Sequence, residues 1–86
     1  MVPPSDHEQR ALVSQVVITA GTTLGQFLKL TATAMTGGEA KALIADSLVS
    51  VNALVENRRG RKLSDGDVVA VRGMEFQVSV RESEDQ

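Results

Sequence analysis

A Thr-x-x-Gln at Thr23–Gln26 and a Thr-x-x-Glu at Thr36–Glu39 put two helix starts only thirteen residues apart. Each has the spacing of a capping box, in which the threonine hydroxyl and the side chain three positions on take up backbone N–H groups that a helix start leaves free. After the first start, Leu24, Phe27, Leu28, Thr31 and Met35 recur on one face of a 3.6-residue period, so a helix is expected from Thr23 to about Ala34. Lys29 falls off that face and should be exposed, and Gly25 weakens the first turn. After the second start, Ala40, Leu43, Ile44 and Leu48 make the buried stripe, and Asp46-Ser47 ends the helix. So little chain separates the two helices that they must turn sharply and pack against each other.

The flanks read as strands. Leu12 to Thr19 is rich in β-branched residues and is expected at a sheet edge, paired with the C-terminal strand. Val49-Ser50-Val51 alternates apolar and polar, and Asn52-Ala53 offers a two-residue hairpin turn into Leu54-Val55. Ser64 to Asp67 is a turn, Val68 to Val71 a buried strand, and Arg72-Gly73 a turn into a last strand from Met74 to Val80. The expected fold is a single α+β domain over 12–81: two packed helices against a small, mainly antiparallel sheet of four to five short strands. Residues 1–11 read as a mobile lead-in and 82–86 as a frayed acidic tail.

Between the hairpin and the Ser64 turn lies Arg58-Arg59-Gly60-Arg61-Lys62, four of the chain's nine basic residues within five positions. Such cations repel one another, so folding alone gives little reason to gather them, whereas an anionic partner does. The net charge of −2 is no obstacle, because residues 24–72 carry seven basic side chains against five acidic ones while both ends are acidic. Local charge sets the field at a binding face. Guanidinium groups fork onto phosphate oxygens, and Gly60 would let the backbone come close to a nucleic acid. If the run continued as a strand, Arg59 and Arg61 would share one face, with Arg58 and Lys62 on the other. A second cationic site lies at Thr36, Gly37, Gly38 and Lys41, where helix N–H groups and the helix dipole favour an anion, although Glu39 would repel one. Lys29 is a further candidate contact.

In this order the pieces resemble the RNA-binding domain named after the fourth small-subunit ribosomal protein, whose two-helix-plus-hairpin surface is the αL motif. They are Leu24-Gly25-Gln26-Phe27-Leu28-Lys29-Leu30, Thr36-Gly37-Gly38-Glu39-Ala40-Lys41, Val49-Ser50-Val51-Asn52, Arg58-Arg59-Gly60-Arg61-Lys62-Leu63 and Gly66-Asp67-Val68-Val69. They span about 23–72 and are closest to the small stand-alone bacterial members. The resemblance implies binding to structured RNA, often ribosomal or transfer RNA, in association with the ribosome. Three positions depart from the family pattern: Gly37 stands where many members carry Arg, and Ser47 and Ala53 stand where glycine is usual. A left-handed conformation at either of the last two costs roughly 1–2 kcal/mol.

Phe27 and Phe76 are the only aromatics and both fit the core, which leaves no stacking platform for single strands and favours recognition of shape and backbone. About four neutralised phosphates would give a log–log salt slope near −3 to −4. No enzyme, cofactor, metal site or small-molecule substrate is expected: His7 is the sole histidine, cysteine is absent, and Asp65-Gly66-Asp67 lacks the further carboxylates of a calcium loop. No apolar run approaches the ~20 residues of a membrane span, and the first residues lack the order of a signal peptide, so a cytoplasmic monomer is expected. The rival is a protein-interaction module that docks its basic loop on an acidic or ribosome-associated protein. Duplex DNA is a third possible partner, and the acidic tail could cover the basic face.

Overall fold

The computed structural model describes residues 13–81, and the expected lead-in and acidic tail lie outside them. In chain order the elements are β1 (Val13–Thr19), α1 (Leu24–Leu30), α2 (Gly37–Ala45), β2 (Val49–Val51), β3 (Leu54–Val55), β4 (Val68–Val71) and β5 (Met74–Arg81). The five strands form one sheet in the order β1-β5-β4-β2-β3. All neighbours are antiparallel except β1 and β5, which run parallel from Val13↔Glu75 to Thr19↔Arg81. The first strand therefore closes the sheet at its edge beside the last, the pairing expected from the sequence.

Alternation along the strands turns Ile18, Val49, Val51, Val69, Val71, Phe76 and Val78 to one face, where Leu24, Phe27, Leu28, Ala40, Leu43 and Ile44 cover them. Each such large side chain contributes about 1.5–3 kcal/mol when taken fully from water. Phe27 meets Phe76 edge to face, with centroids 5.7 Å apart, and so ties α1 to β5. Leu63 is also buried, anchoring the end of the basic loop in the core.

Both helices are shorter than their apolar periodicity. α1 stops at Leu30 because Thr31 and Thr33 turn their hydroxyls onto the Leu28 carbonyl, Thr31 also onto that of Phe27, and Ala32 takes a left-handed φ of 61°. Ala32 N–H then donates to Lys29 O and Thr33 N–H to Leu28 O, the paired bonds of a Schellman ending. α2 ends in the same way, with Ser47 at φ 62° donating to Ile44 O and Leu48 N–H donating to Leu43 O. Met35 and Leu48, assigned to the two stripes by spacing, are consequently outside the helices and exposed, Met35 by 78%.

The hairpin turn has Asn52 at φ 55° and Ala53 at φ 72°, both left-handed, so Ser47 and Ala53, the two places where the family favours glycine, do carry left-handed residues here. Asn52 compensates. Its Nδ2 donates to Asp67 Oδ1 at 2.9 Å and its Oδ1 accepts from Val68 N–H at 3.0 Å, which locks the hairpin to β4. Asp65 and Asp67 spend their carboxylates in the same region, on Val80 N–H and Ser64 N–H, and among the described residues no cluster of acids or histidine could hold a metal. No helix among them is long and apolar enough to cross a membrane.

Candidate nucleic-acid interface

The first turn of α1 is where the separate parts of the site meet. Thr23 caps that helix with a complete capping box: its hydroxyl accepts from Gln26 N–H, and Gln26 Oε1 accepts from Thr23 N–H. The two helix N–H groups that remain go to the basic loop. Leu24 N–H donates to Arg61 O at 2.8 Å and Gly25 N–H to Arg59 O at 3.0 Å, while Leu63 N–H donates back to Thr22 O. A helix start that would otherwise face water is thus closed by the backbone of residues 59–63.

Gly25 is what permits this contact. A Cβ at position 25 would lie 2.6 Å from Arg59 Cγ and 3.2 Å from its Cδ, so the arginine stem occupies the space a side chain would need. The glycine that weakens the helix by propensity is required by packing.

The loop is a turn rather than a strand. Arg61 N–H donates to Arg58 O, and Arg59-Gly60 form the tip. The alternation expected of a strand therefore fails: Arg58 and Arg61, the two ends of the turn, act together. Both reach Glu56, a carboxylate only 8% exposed. Arg58 donates to it through Nε at 3.0 Å, Nη2 at 3.2 Å and its backbone N–H at 3.0 Å, and Arg61 through Nη1 at 3.1 Å. The Arg58 bonds, side chain first and backbone second, with Arg61 adding to them, hold the Glu56 carboxyl at a pKa of about 2 against the burial that opposes ionisation. Arg61 also pairs with Asp67 at 3.8 Å and is the least exposed of the four, with 28% of its side chain accessible against 75% for Arg58. Folding does supply a reason for two of the four cations to be neighbours. Glu56, two and five residues before them, was the signal in the sequence.

Arg59 and Lys62 are exposed and have no carboxylate partner among the described residues, and the same holds for Lys29 and Lys41. Lys29, Gly37 and Arg59, from three separate parts of the chain, line one cleft together with Thr23, Gly25, Gln26 and Ala40. Its volume is about 160 Å³, below the ~300–1,000 Å³ of small-molecule sites. Lys41 lies one turn beyond Gly37 on the same side of α2. Lys62 sits where the loop pairs with Thr23.

At the start of α2 the capping box is only half made. Thr36 Oγ1 accepts from Glu39 N–H at 3.0 Å, but the Glu39 carboxylate passes over Thr36 and accepts from Met35 N–H at 2.7 Å. Its other oxygen accepts from Arg72 Nη2 at 2.9 Å. The Met35 bond first, and Arg72 after it, lower the Glu39 pKa and keep it ionised. The negative charge expected to repel a phosphate is thus offset by Arg72. Gly37 and Gly38 are exposed, and their N–H groups have no protein partner among the described residues. Gly60 has open space around it and no left-handed φ, so no fold requirement explains that glycine.

This arrangement, two short helices and a tight hairpin holding a cationic turn on one side of a mixed sheet, is that of an S4 domain. Residues 17–79 match the family model described as S4 domain, and the chain belongs to that family. It is similar to the probable ribosome maturation protein RlbA of Bacillus subtilis (strain 168), with 53% identity over 57 residues that cover 65% of this chain and 80% of that protein.

Proposed function

We propose that this chain binds structured RNA, ribosomal or transfer RNA, as a non-catalytic cytoplasmic module that works as a monomer in association with the ribosome. Membership of the S4 family and likeness to a probable ribosome maturation protein support an RNA-binding or ribosome-related role. The observation that carries the finer reading is the meeting of Lys29, Gly37 and Arg59 at one cleft. Lys29, Lys41, Arg59 and Lys62 would contact phosphates, with the free amides of Gly37 and Gly38 and the Thr36 end of the helix beside them. Arg58 and Arg61 would lend charge while their guanidinium groups stay on Glu56, and the open Gly60 would let the RNA backbone approach the loop tip. Recognition would rest on the shape and spacing of phosphates rather than on bases.

The test is a salt titration of binding to refolded bacterial ribosomal RNA by the Lys29→Ala/Arg59→Ala/Lys62→Ala variant. Three lost phosphate contacts should weaken binding at every salt concentration and flatten the log–log slope by about 3. Unchanged affinity and slope in a folded variant would overturn the assignment and turn attention to an acidic protein partner.

A further inference from the structure

We infer that Glu56 is a positioning residue for RNA binding, a carboxylate that strengthens contact with a polyanion by folding the basic turn onto Gly25 of α1. The inference rests on the RNA-binding reading above and makes a claim that Coulomb's law alone contradicts. A negative charge inside a phosphate-binding loop repels phosphate, so neutralising it should tighten binding. The geometry points the other way.

Without Glu56, four cations in five positions have no internal counter-charge on their own segment and the turn spreads. With it, Arg58 and Arg61 are drawn to one point, their ends closed by the Arg61 N–H bond to Arg58 O at 3.3 Å. Closure leaves Arg59 and Gly60 at the tip and aims the carbonyls of Arg59 and Arg61 at the free N–H groups of Gly25 and Leu24. The Arg59 stem then lies in the gap left by the missing Cβ of Gly25, beside Lys29 in the cleft. Asp67 steadies the other side, since it pairs with Arg61 while bound to Asn52 and Ser64 N–H. The carboxylate thus converts a self-repelling run into a preorganised one, and preorganisation removes an ordering cost that RNA binding would otherwise bear.

The experiment measures affinity for refolded bacterial ribosomal RNA, with melting temperature recorded for each variant so that binding is compared well below unfolding. Glu56→Gln should bind about fivefold to tenfold more weakly, as expected when one or two residues must be ordered on binding, with a shallower salt slope. Glu56→Asp keeps the charge but shortens the arm, and should fall between. Glu75→Gln, which removes a carboxylate from an exposed position on β5 away from the site, should bind as the parent does or slightly more tightly. Gly25→Ala changes no charge and should also weaken binding, because the new Cβ displaces Arg59. A folded Glu56→Gln that binds as tightly as the parent, or more tightly, overturns the inference. If Glu56→Gln does not fold, Gly25→Ala decides, and unchanged affinity there overturns it equally. Loss of binding by Lys29→Ala/Arg59→Ala/Lys62→Ala together with undiminished binding by Glu56→Gln would refute the positioning role alone. Undiminished binding by the triple variant would refute the RNA site itself.

Discussion

The two cationic regions of this domain are built in opposite ways. The turn at residues 57–63 is tied from within: half of its cations rest on a buried glutamate, and two of its carbonyls cap a helix. The start of α2 is left open, with two glycine amides unused, Lys41 exposed, and the one nearby carboxylate bound to Met35 N–H and Arg72. Charge density along the sequence suggests that the turn is the stronger site. The structure shows that much of this charge is already engaged, and that the free groups come in equal part from the helices. A run of basic residues therefore measures potential, and only the partners of each guanidinium decide what remains for a ligand.

The comparison can be broken by separating stability from binding. The largest effect is expected of Arg58→Ala/Arg61→Ala, which strips Glu56 of its partners and leaves a carboxylate stranded at a buried place. It should lower the melting temperature well below that of Lys29→Ala/Lys41→Ala, measured side by side by circular dichroism. The lysine pair should keep the parent's melting temperature yet lose about 2 from the salt slope. Equal melting temperatures in the two variants would mean that the two regions do not differ as described.

Acid titration probes the turn through Glu56, and comparison with a Glu56→Gln variant separates it from Glu39, whose pKa is also lowered. The Glu56 carboxyl has its pKa lowered from 4.5 to about 2, so its contribution to stability is fully present above the unfolded value of 4.5 and is lost as pH falls through about 2. Glu56→Gln should flatten the fall in stability across that window. An unaltered pH profile would show that the carboxylate gains nothing from the two arginines.

Two glycine substitutions should stabilise the scaffold without removing a proposed phosphate contact, although Ser47→Gly gives up the bond that Asn57 Nδ2 donates to Ser47 Oγ at 3.2 Å while Asn57 keeps its bond to Ile44 O. Ser47→Gly at the end of α2 and Ala53→Gly in the hairpin each relieve a left-handed residue, by about 1 kcal/mol in denaturant unfolding. RNA affinity should not follow. The smallest effect is expected of Gly37→Ala, where a Cβ meets nothing in the protein but adds bulk at the cleft. It should raise stability by less than the ~1 kcal/mol of a helix interior while weakening RNA binding a few-fold.

Much of this was legible in the sequence where one local rule decided the outcome. Thr23 and Gln26 announce the first helix, the β-branched run after Leu12 announces β1, and the even spacing of Phe76 and Val78 places them in the core. The helix ends were not legible, because Leu48 and Met35 continue the apolar period while a left-handed Ser47 and Ala32 have already turned the chain. The site was legible as a set of residues but not as a set of roles. Glu56 lies two positions from Arg58, yet whether a glutamate faces water or its neighbours depends on the fold around it. Arg72 and Glu39 are thirty-three residues apart, and nothing local links them. Gly25 is a flaw by helix propensity, and only the loop that lies across it, distant in sequence, accounts for it.

We propose that RNA phosphates are held where the first turn of α1, the start of α2 and the basic turn converge. Amide chemical shifts followed by nuclear magnetic resonance during titration with refolded ribosomal RNA test this residue by residue. The largest changes are predicted at Lys29, Gly37, Gly38, Lys41, Arg59 and Lys62, with Glu75 and Gln77 on β5 unmoved. Changes centred on β5, or none near the cleft at saturating RNA, would contradict it.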